Sequence, residues 1–474
     1  MKQGRNRHVS NRFMHFGIRL SGILLLVVLS AASLQAQENT RQSSWTRSEA
    51  AKIKLSEETR IPVLYSVSPM SEEVWVWDSW ILRNPDGSPA RIHGHYLLFS
   101  LTADRSLAPE DRHNNARIGY WISKNGKDWR FKGPVFKETE SLGSRQWSGS
   151  AVYKNGKVYL FYTAVGRKNN PWVSMEQRLA LAEGNLVEDG DGVSLKDWSP
   201  HQVILEAEGR YYQTDAQSVY DPQHPDRRTA SPGPEGARDD GGNDIIYSFR
   251  DPWYFEDPKT GMSMLLFASN TPGTSAEKSC QNASLGEPDA AINKEIPSGA
   301  VQYNGSVGFA VAPDPGNLFV WERRPAILNA ECVNQQLEVP RFVFKDGKYY
   351  LFTASHIFTF ANALKPVGLD ALYGFVADDL TGNYEPLNGS GLVLGNPENE
   401  PMETFAWVVL RDGLVISYVN YYDLEGLSPS ELYDQPIGYL RKHFGGTLAP
   451  TIVLDIEDKK AAIRRVLGPG QIVK

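Results

Sequence analysis

Gly156-Lys157-Val158-Tyr159-Leu160-Phe161-Tyr162-Thr163 is a turn glycine followed by an aromatic and aliphatic run that ends on a hydroxyl residue. The same phrase stands at Gly94-His95-Tyr96-Leu97-Leu98-Phe99-Ser100, at Gly261-Met262-Ser263-Met264-Leu265-Leu266-Phe267 and at Gly347-Lys348-Tyr349-Tyr350-Leu351-Phe352-Thr353. A weaker fifth copy is Gly413-Leu414-Val415-Ile416-Ser417-Tyr418. Short runs of this composition, bounded by Gly, Asp and Asn, read as the strands of hairpins. The copies lie about 60 to 105 residues apart, too unevenly for a strict repeat, because the loops between them differ in length. Sustained helical periodicity is scarce beyond the N-terminal segment. Irregularly spaced antiparallel hairpins predict an all-β fold of the propeller type, and five copies predict five blades.

The residues just before each turn carry the chemistry. Trp147-Ser148-Gly149-Ser150, Phe249-Arg250-Asp251-Pro252 and Glu338-Val339-Pro340-Arg341 precede three of the turns by roughly eight to ten positions. Trp77-Asp78-Ser79-Trp80 stands about sixteen before the first, whose hairpin is longer, and Glu403-Thr404-Phe405 precedes the fifth by about ten, like the other three. If each hairpin places its first strand innermost, these residues occupy equivalent blade positions and converge on the central channel. Asp78, Asp251 and Glu338 would then share one funnel. Three carboxylates in a low-dielectric site are costly, so such an arrangement points to function rather than stability.

The bulk of the chain narrows the classes. It has 474 residues, 41% hydrophobic and 22% charged, an ordinary globular composition. The net charge of -7 and the lack of a basic stripe exclude a nucleic-acid partner. Plentiful aromatics, 12 Trp, 21 Tyr and 19 Phe, suit both β structure and the packing of rings on sugar C–H faces, although core filling accounts for most of them. Lys2, Arg5, Arg7, Arg12 and Arg19 precede an apolar run from Leu20 to Leu29, and small residues lead to Ala36. That pattern predicts a signal peptide over residues 1–36, cleaved after Ala36, and a secreted or periplasmic product. The run is shorter than the ~20 residues of a spanning helix, so no stable membrane insertion is expected after its removal. An uncleaved anchor is the alternative.

Cys280 and Cys332 are the only cysteines. In an oxidising compartment a lone pair usually bonds, and closing a loop of this length is worth about 4 kcal/mol in the chain-entropy model; two free buried thiols are the alternative. Two loop regions stand out. Asp221 to Asn243 is rich in Pro, Gly, Asp and Arg, and Thr271 to Tyr303 is irregular and contains Cys280, so a disulfide would tether it. No second domain with its own core is visible. Residues 37–474 read as a single propeller with N- and C-terminal extensions packed on it.

Two carboxyl groups flanking a glycosidic bond are the standard equipment for cleaving it, one ionised and attacking, the other protonated and donating to the leaving oxygen. A third can hold sugar hydroxyls and stabilise the oxocarbenium-like charge. Any one of these residues could equally be a capping or solvated Asp or Glu; three at matched positions carry the reading.

Val76-Trp77-Asp78-Ser79-Trp80 resembles the nucleophile motif of the levansucrase, inulosucrase and bacterial β-fructofuranosidase family, glycoside hydrolase family 68. Phe249-Arg250-Asp251-Pro252, with Phe255-Glu256-Asp257 after it, is similar to that family's transition-state-stabilising motif. Leu337-Glu338-Val339-Pro340 resembles its acid/base segment, and Trp147-Ser148-Gly149-Ser150-Ala151 a fourth motif whose Ser helps hold the nucleophile or the fructosyl unit. Tyr373-Gly374-Phe375-Val376 and Gly389-Ser390-Gly391-Leu392-Val393-Leu394-Gly395-Asn396-Pro397 extend the likeness late in the chain.

The resemblance implies a five-bladed propeller with its catalytic carboxylates in the central funnel. It also implies retaining cleavage of sucrose, with a covalent fructosyl-enzyme on Asp78, acid/base work by Glu338 and transition-state stabilisation by Asp251. Trp77, Trp147, Ser148, Arg250 and His356 would bind substrate. An ordinary ion pair is the other reading of Arg250. The partners implied are sucrose and fructan or other sugar acceptors, with water as the competing acceptor, and the chain is expected to act as a monomer without a cofactor.

Departures from the pattern bear on specificity. Ile81 stands where Pro is usual, Val339 replaces a common Arg, and Ala268 a frequent Glu. Gln335 and Gln336 replace an acidic pair that contributes to a calcium site in some relatives, so no metal is expected. His356 stands where calcium-type relatives have Arg, which resembles the Gram-negative branch. A sucrose hydrolase or an inulosucrase on the same fold remains the alternative. A carbohydrate-binding propeller without turnover, or a five-bladed glycosidase acting on arabinan or β-fructan, is the more distant one.

Overall fold

Asn155-Gly156 and Asp346-Gly347 both take left-handed backbone angles, with φ of 52° and 80° in the first pair and 51° and 81° in the second. Two consecutive left-handed residues make the tight hairpin turn whose twist matches that of the strands it joins. The two turns set the register of Arg145–Lys154 against Lys157–Val165 and of Glu338–Lys345 against Lys348–Ser355.

The computed structural model describes residues 42–168, 176–190, 192–218 and 248–474. The expected targeting segment 1–36 and the loop from Asp221 to Asn243 lie outside the described residues. Gln42–Lys474 forms one compact unit.

The strands of that unit fall into five antiparallel blades, each cut from one consecutive stretch of chain. Blade one is Val74–Arg83, Tyr96–Asp104, Arg117–Ser123 and Arg130–Pro134. Blade two is Arg145–Lys154, Lys157–Val165, Gln177–Asp189 and Gln202–Leu205, with Gly192–Lys196 as an extra arm. Blade three is Phe249–Glu256, Ser263–Asn270, Gly305–Val311 and Glu322–Asn329. Blade four is Glu338–Lys345, Lys348–Ser355 and Ala371–Ala377, edged by Glu385–Pro386 and Leu392–Gly395. Blade five is Thr404–Val409, Leu414–Tyr421, Phe444–Leu448, Pro450–Glu457 and Lys460–Pro469.

The first strand of each blade packs on the first strand of the next, and the fifth returns to the first, so the five line a central channel. Blades one and two are further joined by a short parallel pairing, Leu82 to Ala151 and Arg83 to Val152. Between blades five and one, closure rests on packing and on the C-terminal tail: Ile472 N–H donates to Gly126 O (2.8 Å) and Trp129 Nε1 to Gly470 O (2.9 Å).

Before the first blade, Ser43–Ser44 pairs in parallel with Leu328–Asn329 at the outer edge of blade three. Trp45 is fully buried; its indole donates to Ser390 O (3.0 Å) and meets Phe360, Tyr373 and Phe375 of the blade-four region. The cysteines form a disulfide, with Cα atoms 5.8 Å apart. It ties the irregular Thr271–Tyr303 stretch to the segment that leads into the Glu338 strand.

Candidate active site

Every first strand carries a β-bulge. The ladder slips between Trp77 and Ser79, Trp147 and Gly149, Arg250 and Trp253, Glu338 and Arg341, and Phe405 and Val408. A bulge inserts an extra residue and re-aims its side chain. Four of these inserts hold a non-glycine residue at positive φ: Asp78 (30°), Asp251 (60°), Val339 (42°) and Ala406 (53°). Such angles cost of order 1–3 kcal/mol each and persist where the surroundings over-determine them. The terminal hydroxyls of the repeated phrase answer the carbonyls that two bulges displace. Thr163 Oγ1 donates to Ser148 O (3.0 Å) and Thr353 Oγ1 to Glu338 O (2.9 Å).

The bulges bring Asp78, Asp251 and Glu338 within electrostatic reach of one another, but they are held very differently. Asp251 is buried. Its carboxylate accepts from Val339 N–H (3.1 Å), its own N–H donates to Thr163 Oγ1 (2.9 Å), and the Arg250 Nε lies 3.8 Å away. Glu338 accepts from Arg250 Nη2 at 2.5 Å, and His356 Nε2 stands 3.7 Å from its other oxygen. Asp78 accepts no hydrogen bond from any described residue. Burial raises its pKa to about 7, reinforced by the charges of Asp251 and Glu338 and opposed by Arg112 and His356. Burial likewise raises Asp251 to about 6, against the pull of Arg250.

Arg250 is the hub of the site. Beyond Glu338 it donates to Ser248 Oγ (2.8 Å), Gln336 Oε1 (3.2 Å) and Gln177 Oε1 (3.4 Å). A proton-donating Glu338 calls for apolar or acidic company, and the arginine is the opposite of that. The guanidinium offsets the carboxylate and fixes its direction.

His356 lies between two rings, Phe405 of blade five at 3.6 Å and 10° and Phe358 at 4.7 Å and 13°. Its Nδ1 bonds the buried Asp370 Oδ2 at 2.9 Å, and Asp370 Oδ1 accepts Ile357 N–H at 2.7 Å. Burial alone would lower the imidazole pKa; Asp370, Glu338 and Asp78 outweigh it and the net shift is upward.

The remaining sequence candidates line the same region. Trp77 is fully buried edge-on to His113, and Trp147 Nε1 donates to His113 O (3.1 Å). Ser148 is buried, and its hydroxyl has no protein partner among the described residues. Glu403 is not in the channel. It is buried beside the fifth bulge, where Oε1 accepts Leu64 N–H at 2.5 Å and burial raises its pKa to about 8. Blade five therefore gives the funnel an aromatic ring, Phe405, where a matched carboxylate was expected.

Sequence reasoning alone did not find Asp370, Thr163, Arg112 or Tyr418. Arg112 and Tyr418 share a side-chain hydrogen bond; Arg112 opposes the rise in the Asp78 pKa, and the Asp78 charge helps to raise that of Tyr418. One available signal was Pro252 and Pro340, since proline inside a strand is confined to edges and bulges. Among the described residues no group of His, Cys, Asp and Glu has metal-site geometry.

Residues 34–473 match the family described as Levansucrase/Invertase. The chain is 34% identical to the levansucrase LscB of Pseudomonas savastanoi pv. glycinea, over 94% of this chain and 96% of that one. It is 33% identical to the extracellular sucrase of Zymomonas mobilis subsp. mobilis, over 92% and 96%. Among solved structures, the inulosucrase from Halalkalicoccus jeotgali bound to kestose superposes with a TM-score of 0.76 at 39% identity, covering 91% of this chain and 97% of that one.

Proposed function

The chain belongs to the levansucrase/invertase family, and from that premise we propose that it runs a retaining double displacement on sucrose with Asp78 as nucleophile and Glu338 as acid and base. The protein is a sucrose-cleaving fructosyltransferase. One observation carries the assignment of roles: among the described residues, Asp78 alone of three neighbouring carboxylates accepts no hydrogen bond, while Asp251 and Glu338 are tied down. A nucleophile needs free lone pairs, and a positioning carboxylate needs a fixed direction.

In the first step an Asp78 oxygen attacks C2 of the fructosyl unit. The bond from C2 to the glucosyl oxygen breaks, and Glu338 gives that oxygen its proton as glucose leaves. In the second step Glu338 takes a proton from the incoming hydroxyl, whose oxygen attacks C2 and releases Asp78. Water as acceptor gives free fructose; a sugar hydroxyl gives transfer. Arg250 then acts on the charge that Glu338 gains when glucose departs. Asp251, fixed by Val339 N–H, receives fructosyl hydroxyls and faces the developing positive charge. The free Ser148 hydroxyl and the Trp77 and Trp147 rings complete the fructosyl pocket.

Burial raises Asp78 and Asp251 above the ordinary carboxylate range, and the proposed cycle requires Asp78 ionised and Glu338 protonated as the glucosyl oxygen leaves. Two displacements retain configuration at C2, which calls for carboxyl groups about 5–5.5 Å apart in the loaded site. Export by the N-terminal segment, action as a monomer and a fructan acceptor belong to the same proposal. No described helix is long and apolar enough to cross a membrane. The likeness to an inulosucrase, 39% identical, supports inulin-type linkages as a second reading of the product.

The test is to quench the enzyme with sucrose in acid and map the fructosyl adduct by peptide mass. We expect it on the peptide bearing Asp78; an adduct on another acid, or none in a rapid quench at full turnover, removes Asp78 as nucleophile. Asp78→Ala, Asp251→Ala and Glu338→Ala should each lower kcat about a thousandfold or more with folding intact. Free glucose, free fructose and product linkage, quantified together, separate transfer from hydrolysis and levan from inulin.

A further inference from the structure

At the far end of the channel, where the first strands finish, the chain buries a second set of charges that the proposed reaction does not use. Arg83 ends the first strand of blade one and is 3% exposed. Its Nη2 donates to Tyr254 O (2.8 Å), and its guanidinium carbon lies 3.3 Å from the centre of the Trp253 ring. Arg341 is 1% exposed and stacks on the same ring at 4.1 Å, while its Nη1 donates to Pro340 O (2.9 Å). The two cations repel each other, and burial and that repulsion both push the Arg83 pKa down.

They differ in compensation. Arg341 lies in the field of Asp251 and Asp78. Arg83 has no carboxylate partner among the described residues. Side chains of Arg83, Trp253, Glu256, Phe342, Phe344 and Arg411 are among those lining a cavity of about 80 Å³ at this end. The acids along its wall are already engaged, Glu256 by Lys154 at 2.6 Å and Asp86 by Arg411. A guanidinium does not give up its proton, and a buried charge is normally paired. A space of this size takes a few water-sized groups. The exposed Arg411–Asp86 pair marks its solvent side.

We propose that this far mouth of the channel is a binding site for a small inorganic anion of halide size, held by Arg83 against the aromatic wall of Trp253, Phe342 and Phe344. The anion supplies the countercharge that the protein does not. Charge-assisted hydrogen bonds to the guanidinium make the site, and the cavity volume excludes larger anions such as gluconate.

Two measurements on the whole mature protein test this without reading activity. Crystals grown without halide and soaked in sodium bromide should show an anomalous peak within about 3.5 Å of the Arg83 guanidinium. Water alone at that position after a saturating soak overturns the proposal. In solution, exchanging gluconate for chloride at constant ionic strength should raise the unfolding midpoint saturably by a few degrees, as binding to the native state alone requires. Arg83→Met should abolish the chloride response; the same rise in that variant, or a linear rise in wild type, overturns it. Because the bromide result is read on wild type, the outcome stands even if the variant does not fold. It is also separate from the proposed reaction, since a dead nucleophile variant should bind bromide equally well.

Discussion

A left-handed backbone angle and a buried carboxylate that accepts no hydrogen bond from a described residue both make Asp78 expensive to the fold. Its folded-state pKa, about 7, lies above the ordinary Asp value, so the folded protein binds this proton more tightly than the unfolded chain does. The sign follows: stability at this position is greatest in acid and is lost as pH rises from the unfolded value through the folded one. Discounted for the coupling of Asp78 to its acidic neighbours, the shift still leaves about 2 kcal/mol at pH 8. Asp78→Asn should therefore unfold at higher temperature than wild type at pH 8, with the gap closing by about pH 4, while sucrose turnover is lost. Equal midpoints at pH 8 would show that the site carries no such strain.

His356 gives a second prediction at this scale. Asp370→Asn keeps an acceptor for Ile357 N–H but removes the charge that raises the imidazole pKa. We expect kcat to fall about tenfold or more, with the alkaline limb of its pH profile moving to lower pH. A loss of activity with an unmoved limb would reduce Asp370 to packing. The three carboxylates were legible because the chemistry demands that residue type. Asp370 was not, because its partnership with His356 is made by the turn between them, and no periodicity announces it. Glu403 shows the converse. Its position relative to the hairpin matched the others, yet burial against Leu64 N–H turned its side chain away.

Among the elements, hairpins were plain in the sequence and bulges were not. A glycine followed by five or six aromatic and aliphatic residues has few alternatives to a strand, so all four strong copies and the weak fifth proved to be second strands of blades. A bulge changes the count by one residue and leaves composition untouched. Only Pro252 and Pro340, and the threonines that answer displaced carbonyls, betray it. The turns themselves are testable. Asn155 is exposed and holds φ 52° ahead of Gly156. Asn155→Val should cost about 1–2 kcal/mol, because a β-branched residue resists the left-handed region. Asn155→Gly should be close to neutral, and both variants should keep wild-type kcat. Thermal unfolding reads the first effect and sucrose turnover the second.

At the scale of the whole molecule, the cysteine pairing expected from their number is the bond that the structure contains, with no free cysteine. It spans a separation of 52 residues. Replacing both cysteines with serine should destabilise the protein by up to about 4 kcal/mol, seen as a lower unfolding midpoint in non-reducing buffer and no further drop on adding reductant. The strands named for each blade come from consecutive stretches of chain, with Ser43–Ser44 added at the edge of blade three, and among the described residues no strand from the C-terminal end joins blade one. A ribosome delivers the blade with Asp78 first and the closing blade last. An interrupted chain ending at Glu403 would already hold every proposed catalytic carboxylate, yet Phe405 would be missing from the face of His356 and nothing would close the circle. Order of synthesis thus separates two events: the reactive groups are all present in the chain before the blade that completes the circle has been made.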